Sequence, residues 1–213
     1  MFIVCGTILP NMGTTPKNFG LSDALFSKVQ QRVLALLFGH PERSFYTSEI
    51  LRHVDSGVGA VDRELRRLHR SGLVTVERVG NQKHYRANKE APVFEDLRGL
   101  LEKTVNVTEP LKKSFERHAS GIQSAFVFGS VAKGTDTAES DVDIMVIGDD
   151  LNYSELYAAA QEAELTLKRP VHPLFVSSQD WQRHVCDEGS VMNKISQSPK
   201  LFFIGSENEL RHG

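Results

Sequence analysis

The chain has little cysteine, one tryptophan and no long apolar run. Its 213 residues hold only Cys5 and Cys186, too few for a disulfide framework or a cysteine-based zinc cluster. Nothing therefore demands an oxidising compartment, and a cytoplasmic location is expected. No apolar stretch approaches the roughly 18–20 residues that span a bilayer, so no membrane partner is expected. Residues 1–10 are apolar yet carry no Lys or Arg ahead of the apolar part, which a secretory signal requires. Residues 1–20, punctuated by Gly6, Pro10, Gly13, Pro16 and Gly20, read as a flexible leader to which no function is assigned, and Met12 offers a second start. The histidines are scattered, with no His/Cys/Asp spacing that suggests zinc. The rest is ordinary: 40% hydrophobic, 24% charged and 8% aromatic residues exclude collagen-like, mucin-like and wholly disordered chains.

The net charge of −2 conceals a gradient. Residues 44–88 hold eight bases against five acids, a net +3, whereas residues 135–213 hold six bases against fourteen acids, a net −8. Such asymmetry points to two units with different partners.

In the first unit, Leu25, Phe26, Val29, Val33, Leu36 and Leu37 recur at helical spacing. They predict one amphipathic helix over 22–38, ended by Gly39-His40-Pro41. A short helix is expected over 47–54 with Thr47 or Ser48 as its cap, then a turn over 55–59 and a third helix over 59–71. In that helix Arg63, Arg66, Arg67 and Arg70 share an arc of about 100°, opposite Val61, Leu65 and Leu68. Gly72 closes it. Two β-compatible runs, 73–79 and 83–87, flank Gly80-Asn81-Gln82 and read as a hairpin with Arg78, Lys83 and Arg86 around its turn. This order fits a winged helix-turn-helix, whose second helix enters the major groove of double-stranded DNA while the hairpin meets the backbone. Arginine's planar fork suits guanine O6 and N7 or a phosphate. A merely solvated arginine face is the plain alternative.

The run 61–74, ending in Gly72-Leu73-Val74, resembles bacterial regulators of the ArsR-like type, with a recognition helix, Gly-Leu-Val and then a wing. The metal-sensing cysteines of that family are absent, so metal sensing is not carried over. Pro92 next opens an apolar-periodic stretch, Val93, Leu97, Leu100, Leu101 and Val105. It predicts a helix with two readings: it pairs protomers in a homodimer on two half-sites, or it packs on its own domain.

The second unit follows a helix expected over 111–118. Residues 122–128 read as a buried strand, followed by Gly129-Ser130, a short helix over 131–134, a polar loop over 135–140 and a strand over 141–147 that opens on Asp141 and Asp143. Strand alternation sets these two carboxylates on one face, Cα atoms about 6–7 Å apart, with Val142 and Ile144 toward the core. Paired carboxylates can hold two hard cations about 3.5–4 Å apart. Mg2+, or Mn2+ in its place, takes one or two of them plus substrate phosphates. Gly129 lets a phosphate approach the backbone, Ser130 and the amides of an opening helix can grip its oxygens, and Lys133 can neutralise the remaining charge.

Phe128-Gly129-Ser130, ten intervening residues and Asp141-Val142-Asp143-Ile144 together resemble the minimal bacterial members of the nucleotidyltransferase superfamily of the DNA polymerase β type. Ala132-Lys133-Gly134 and Ser140 agree with that pattern. The resemblance implies ATP or another NTP as ligand or substrate, divalent metal on Asp141 and Asp143, and nucleotide contacts from Gly129, Ser130, Lys133 and Ser140. Two-metal members supply a third carboxylate from a following strand. Here a helix over 152–168 precedes a strand over 170–176, and the apolar frame puts the third acid at His172. Imidazole can serve as a general base but is a poor magnesium ligand. So the chemistry is altered, the domain binds nucleotide without turning it over, or His172 is a plain strand residue. A helix start at 177–181, a helix over 188–195 and a last strand over 201–205 complete the reading, with Trp181 and the Phe202-Phe203 pair as core.

The expected fold class is α+β: a leader (1–20), an N-terminal winged helix-turn-helix (21–90), connecting helices (91–118) and a C-terminal α/β nucleotidyltransferase-fold domain with a small mixed sheet (119–213). The leading expectation is a DNA-binding transcriptional regulator whose second domain binds nucleotide and Mg2+. The alternative is an active enzyme that moves a nucleoside monophosphate from ATP to a protein, RNA or small-molecule hydroxyl, antitoxin-like, with a helical toxin-like partner. A third reading makes the second unit an interaction module alone.

Overall fold

The computed structural model describes residues 20–212; the leader expected over 1–20 lies, Gly20 apart, outside the described residues. The helix expected over 22–38 is two helices, α1 (Leu21–Leu25) and α2 (Lys28–Gly39). Ser27 breaks the run by a capping box. Its hydroxyl accepts from the Gln30 amide at 3.4 Å and its own amide donates to Gln30 Oε1 at 2.9 Å, which satisfies two donors of a helix start. The Ser-x-x-Gln signal lay inside the apolar periodicity and was masked by it.

A short strand β1 (Phe45–Tyr46) leads into α3 (Thr47–Val54) and α4 (Val58–Arg70). Neither Thr47 nor Ser48 caps α3: Tyr46 holds the cap position without a side-chain bond. β2 (Val74–Val79) and β3 (Gln82–Ala87) form an antiparallel hairpin, and β1 joins it in the order β1-β3-β2. Gln82 pairs with Val79, so the turn is Gly80-Asn81, one residue shorter than expected. Gly80 sits at φ +60, as the first central position of a type II′ turn requires. Val33, Leu37, Ile50, Val61, Leu65, Leu68 and Tyr85 close the first core.

The region between the units divides its allegiance. α5 (Phe94–Thr104) sends Phe94 and Leu101 into the first core, whereas α6 (Thr108–Phe115) sends Leu111 and Phe115 into the second. α6 starts three residues before the expected position and gives way to a 3-10 turn at Glu116–Gly121.

The second unit is built on β4 (Ser124–Phe128), β5 (Val142–Ile147), β6 (Val171–Val176) and β7 (Leu201–Ile204), in the order β6-β5-β4-β7. β5 and β6 are parallel; β4 runs antiparallel to β5 and to β7. Parallel neighbours need a crossover, which α8 (Tyr153–Leu167) supplies, capped by Asn152. Alternation sorts the faces. Ala125, Val127, Val142, Ile144 and Val146 meet α6 and α8. Phe126, Met145, Ile147 and Val176 meet α9 (Ser178–Val185), α10 (Val191–Ser196) and α11 (Glu207–His212). α10 begins after Ser190, its cap, and not at 188; α11 had no counterpart in the sequence reading. At the open edge of β6 the Val171 amide donates to Glu164 Oε1 at 2.7 Å and Pro173 has no N–H, so the edge offers little to a further strand.

Candidate functional site

β4 ends at Phe128, which lies opposite Asp143, and Asp143 lies opposite His172 on β6. Strand alternation thus sets Phe128, Asp143 and His172 in one lateral row on one face. Asp141 stands just before β5, and its Oδ2 is 3.5 Å from His172 Nδ1. His172, on which the apolar frame placed the third acid, therefore lies beside Asp141 and opposite Asp143.

The chain leaves β4 through Gly129 at φ +74, a left-handed conformation that favours glycine. A Cβ there would stand 2.5 Å from Asp143 Oδ2, so a larger residue would also displace that carboxylate. Ser130 follows in the first turn of α7 (Gly129–Lys133), and Lys133 is exposed at its end. Ser140 is differently placed: its hydroxyl accepts from the Thr137 amide at 2.9 Å and meets Thr137 Oγ1 at 3.3 Å. It shapes the loop before the aspartates.

The Asp143 carboxyl is raised above its ordinary range. Burial is the largest cause; the His172 charge works against it and the Asp141 charge with it. A dication would offset both the burial and the like charge. The oxygen donors of Asp141 and Asp143 suit Mg2+, which keeps its other positions for water and phosphate. Among the described residues no group of three or more His, Cys, Asp or Glu is arranged to hold a metal ion.

The sequence reading missed Arg169. Its guanidinium donates from Nη1 to Asp136 Oδ2 at 2.9 Å and from Nε to the Ser140 carbonyl at 2.7 Å, and so pins the loop that leads into Asp141. A basic residue next to Pro170 at a strand start was the only signal, and it is a common one.

The first unit presents its arginines on exposed α4, lining one surface groove with Gly59, Asp62 and Ser71. They are not equivalent. Arg67 makes two bonds to Glu64, at 2.5 and 3.0 Å, and Glu64 is buried. Arg66 pairs with Asp62 at 2.7 Å. Arg63 and Arg70 make no ion pair among the described residues. On the hairpin, Arg78 and Lys83 are direct cross-strand partners, a like-charge pair that costs stability unless an anion joins it. Arg86 is on the opposite face by alternation, where with Lys89 it helps to hold the Glu42 carboxyl below its ordinary range. The three hairpin bases are therefore not one surface.

Residues 109–197 match the family model described as polymerase beta, nucleotidyltransferase, so the second unit is a nucleotidyltransferase-type domain. A comparison with curated proteins found no match. Among solved structures, one described as a toxin-antitoxin with AMP-PNP is 20% identical, with a TM-score of 0.36, over 49% of this chain and 77% of that one. A mutant MntA-HpeT toxin-antitoxin is 18% identical with the same score and coverage. TrmBL2, an archaeal chromatin protein, is 14% identical with a TM-score of 0.27, over 82% of this chain and 70% of that one. Scores this low bear on neither chemistry nor partners.

Proposed function

We propose that the chain is a DNA-binding regulator whose second domain binds a nucleoside triphosphate with Mg2+ or Mn2+. The observation that carries the nucleotide half is the approach of Gly129 to Asp143: a bend stripped of its side chain faces a carboxylate that burial and the neighbouring Asp141 charge leave in need of positive charge. Asp141 and Asp143 would hold the metal, which supplies charge neutralisation for the triphosphate. Gly129 would admit a phosphate to the backbone, Ser130 would offer its hydroxyl, and Lys133, exposed at the end of α7, would neutralise the remaining charge. The DNA half rests on α3, the turn, α4 and the β2–β3 hairpin, read as an ArsR-like winged helix-turn-helix with α4 in the major groove. Arg63 and Arg70 then meet DNA first, with Arg66 and Arg67 beside them, while Arg78 and Lys83 on one face of the hairpin and Arg86 on the other are left to the backbone. Calorimetry with ATP and MnCl2 tests the first half; no heat of binding refutes it. A fluorescence-anisotropy titration with duplex DNA tests the second.

A second reading, an active nucleotidyltransferase of antitoxin type with a helical protein partner, is favoured by one distance, the 3.5 Å between His172 Nδ1 and Asp141. A carboxylate at that range can orient the imidazole and leave its other ring nitrogen toward a substrate. His172 would take the proton of an attacking hydroxyl as that oxygen bonds to the α-phosphate and pyrophosphate leaves. Transfer of label from α-labelled ATP that is lost in His172→Ala selects this reading; transfer that persists there rejects His172 as the base.

A further inference from the structure

Residues 134–141 join the Gly-Ser bend to Asp141, and none of them belongs to a helix or strand. One guanidinium fixes them. Arg169, placed between α8 and β6, spans Asp136 and the Ser140 carbonyl, and the side chains of Arg169 and Asp136 are each only 6% exposed. Burying an ion pair is costly unless its remaining donors are met, and apolar residues often serve stability better. Here Arg169 Nη2 is buried and, among the described residues, without a partner, so the pair is a poor way to stabilise a core and a good way to specify one loop position.

The loop is also held from the other unit. The Asp136 carbonyl accepts the Leu21 amide of α1 at 3.0 Å. Gly20 lies so near the Gly134 carbonyl that a Cβ would stand 2.6 Å from it. α1 in turn is bonded to α2: Asp23 accepts from Gln31 Nε2 at 2.7 Å and pairs with Lys28 at 2.5 Å.

We infer that Arg169 is a positioning residue: it sets residues 134–141 so that Asp141 stands beside Asp143 and His172, and through Asp136 it seats α1 of the first unit on the same loop. The role of Asp141 rests on the nucleotide reading above; the clamp itself does not. Because one loop carries both contacts, loading of Asp141 and seating of α1 are linked, and linkage is reciprocal.

The test uses the full chain with Mn2+ and ATP as probe, together with hydrogen exchange of segments 21–25 and 134–141. Arg169→Met raises exchange about tenfold in both segments and weakens Mn2+·ATP binding about tenfold, the size of effect that outer partners of metal ligands have. Arg169→Lys keeps the charge opposite Asp136 without the fork that also reaches Ser140, and falls between. Unchanged exchange in Arg169→Met, or a loosened 134–141 with α1 unmoved, overturns the inference. So does parental Mn2+·ATP affinity in a variant whose loop has loosened. Should Arg169→Met not fold, Gly20→Val undocks α1 with the buried pair intact, and parental exchange at 21–25 in that variant overturns the link between the units. If the parent itself binds no Mn2+·ATP, the nucleotide reading fails while exchange still decides the clamp.

Discussion

On α4 the arginines stand exposed, and two of them are matched by acids within one turn of the same helix. At the head of β5, by contrast, two acids share one face with a single imidazole, and Asp143 is half-buried. The first surface is electrostatically cheaper: the arginines stay exposed, the Asp62 pair only orients Arg66, and Arg67 also satisfies the buried Glu64. The second is expensive, because burial and a like charge both resist the ionised Asp143. The contrast separates the two kinds of binding. An exposed basic helix suits a long-range, salt-sensitive polyanion. A crowded carboxylate pair suits a compact cation brought in with phosphates.

Replacing both carboxylates is the largest perturbation. Asp141→Ala/Asp143→Ala is expected to weaken Mn2+·ATP binding by at least about 100-fold, the upper end of what loss of an outer partner alone costs, while duplex affinity measured without nucleotide is unchanged. If DNA binding falls too, the two surfaces are not separate. Arg63→Ala/Arg70→Ala is next: anisotropy titrations over a salt series should show the log–log slope reduced by about two, one per lost phosphate contact. Arg67→Ala sharpens the contrast within α4. It leaves Glu64 buried and unpaired and costs about 1 kcal/mol in urea unfolding, modest because Arg67 is 54% exposed and solvent screens the pair. Its effect on DNA affinity should be smaller than that of Arg63→Ala.

The smallest effect is the most diagnostic of crowding. A carboxyl raised in the folded state binds its proton more tightly there than in the unfolded chain. The stability tied to that proton is present below the ordinary value of 3.8 and is lost as pH rises through the raised value. Asp143→Asn, uncharged throughout, should therefore melt slightly higher than the parent at neutral pH in metal-free buffer, with the gap closing below pH 3.8. A variant that melts lower at neutral pH would show that the site is not strained by its charge.

Much of this was legible in residue order. The hairpin, the arginine-faced helix, the Gly-Ser bend and the strand that follows Asp141 follow from periodicities of 3.6 and 2 and from glycine's freedom, and the register pairs Asp143 with His172. The failures share a cause. The continuous helix over 22–38 was apolar on one face throughout, and only the local bond between Ser27 and Gln30 broke it. Arg86 was grouped with Arg78 and Lys83 because they are near in sequence, although alternation sends it to the other face.

The sequence alone determined which residues carry charge, where the chain must turn left-handed, and which faces must be buried, because those are properties of single residues and short repeats. Tertiary structure decided who pairs with whom: that His172 stands by Asp141, that Glu64 claims Arg67, and that a buried Arg169 pins the loop on which α1 is seated. Such pairings join distant positions, as Asp136 and Arg169, 33 residues apart, show, and depend on the register of β5 on β6 and on how helices cover a sheet. Burial then sets their strength, since a charge taken out of water must find a partner wherever the fold provides one.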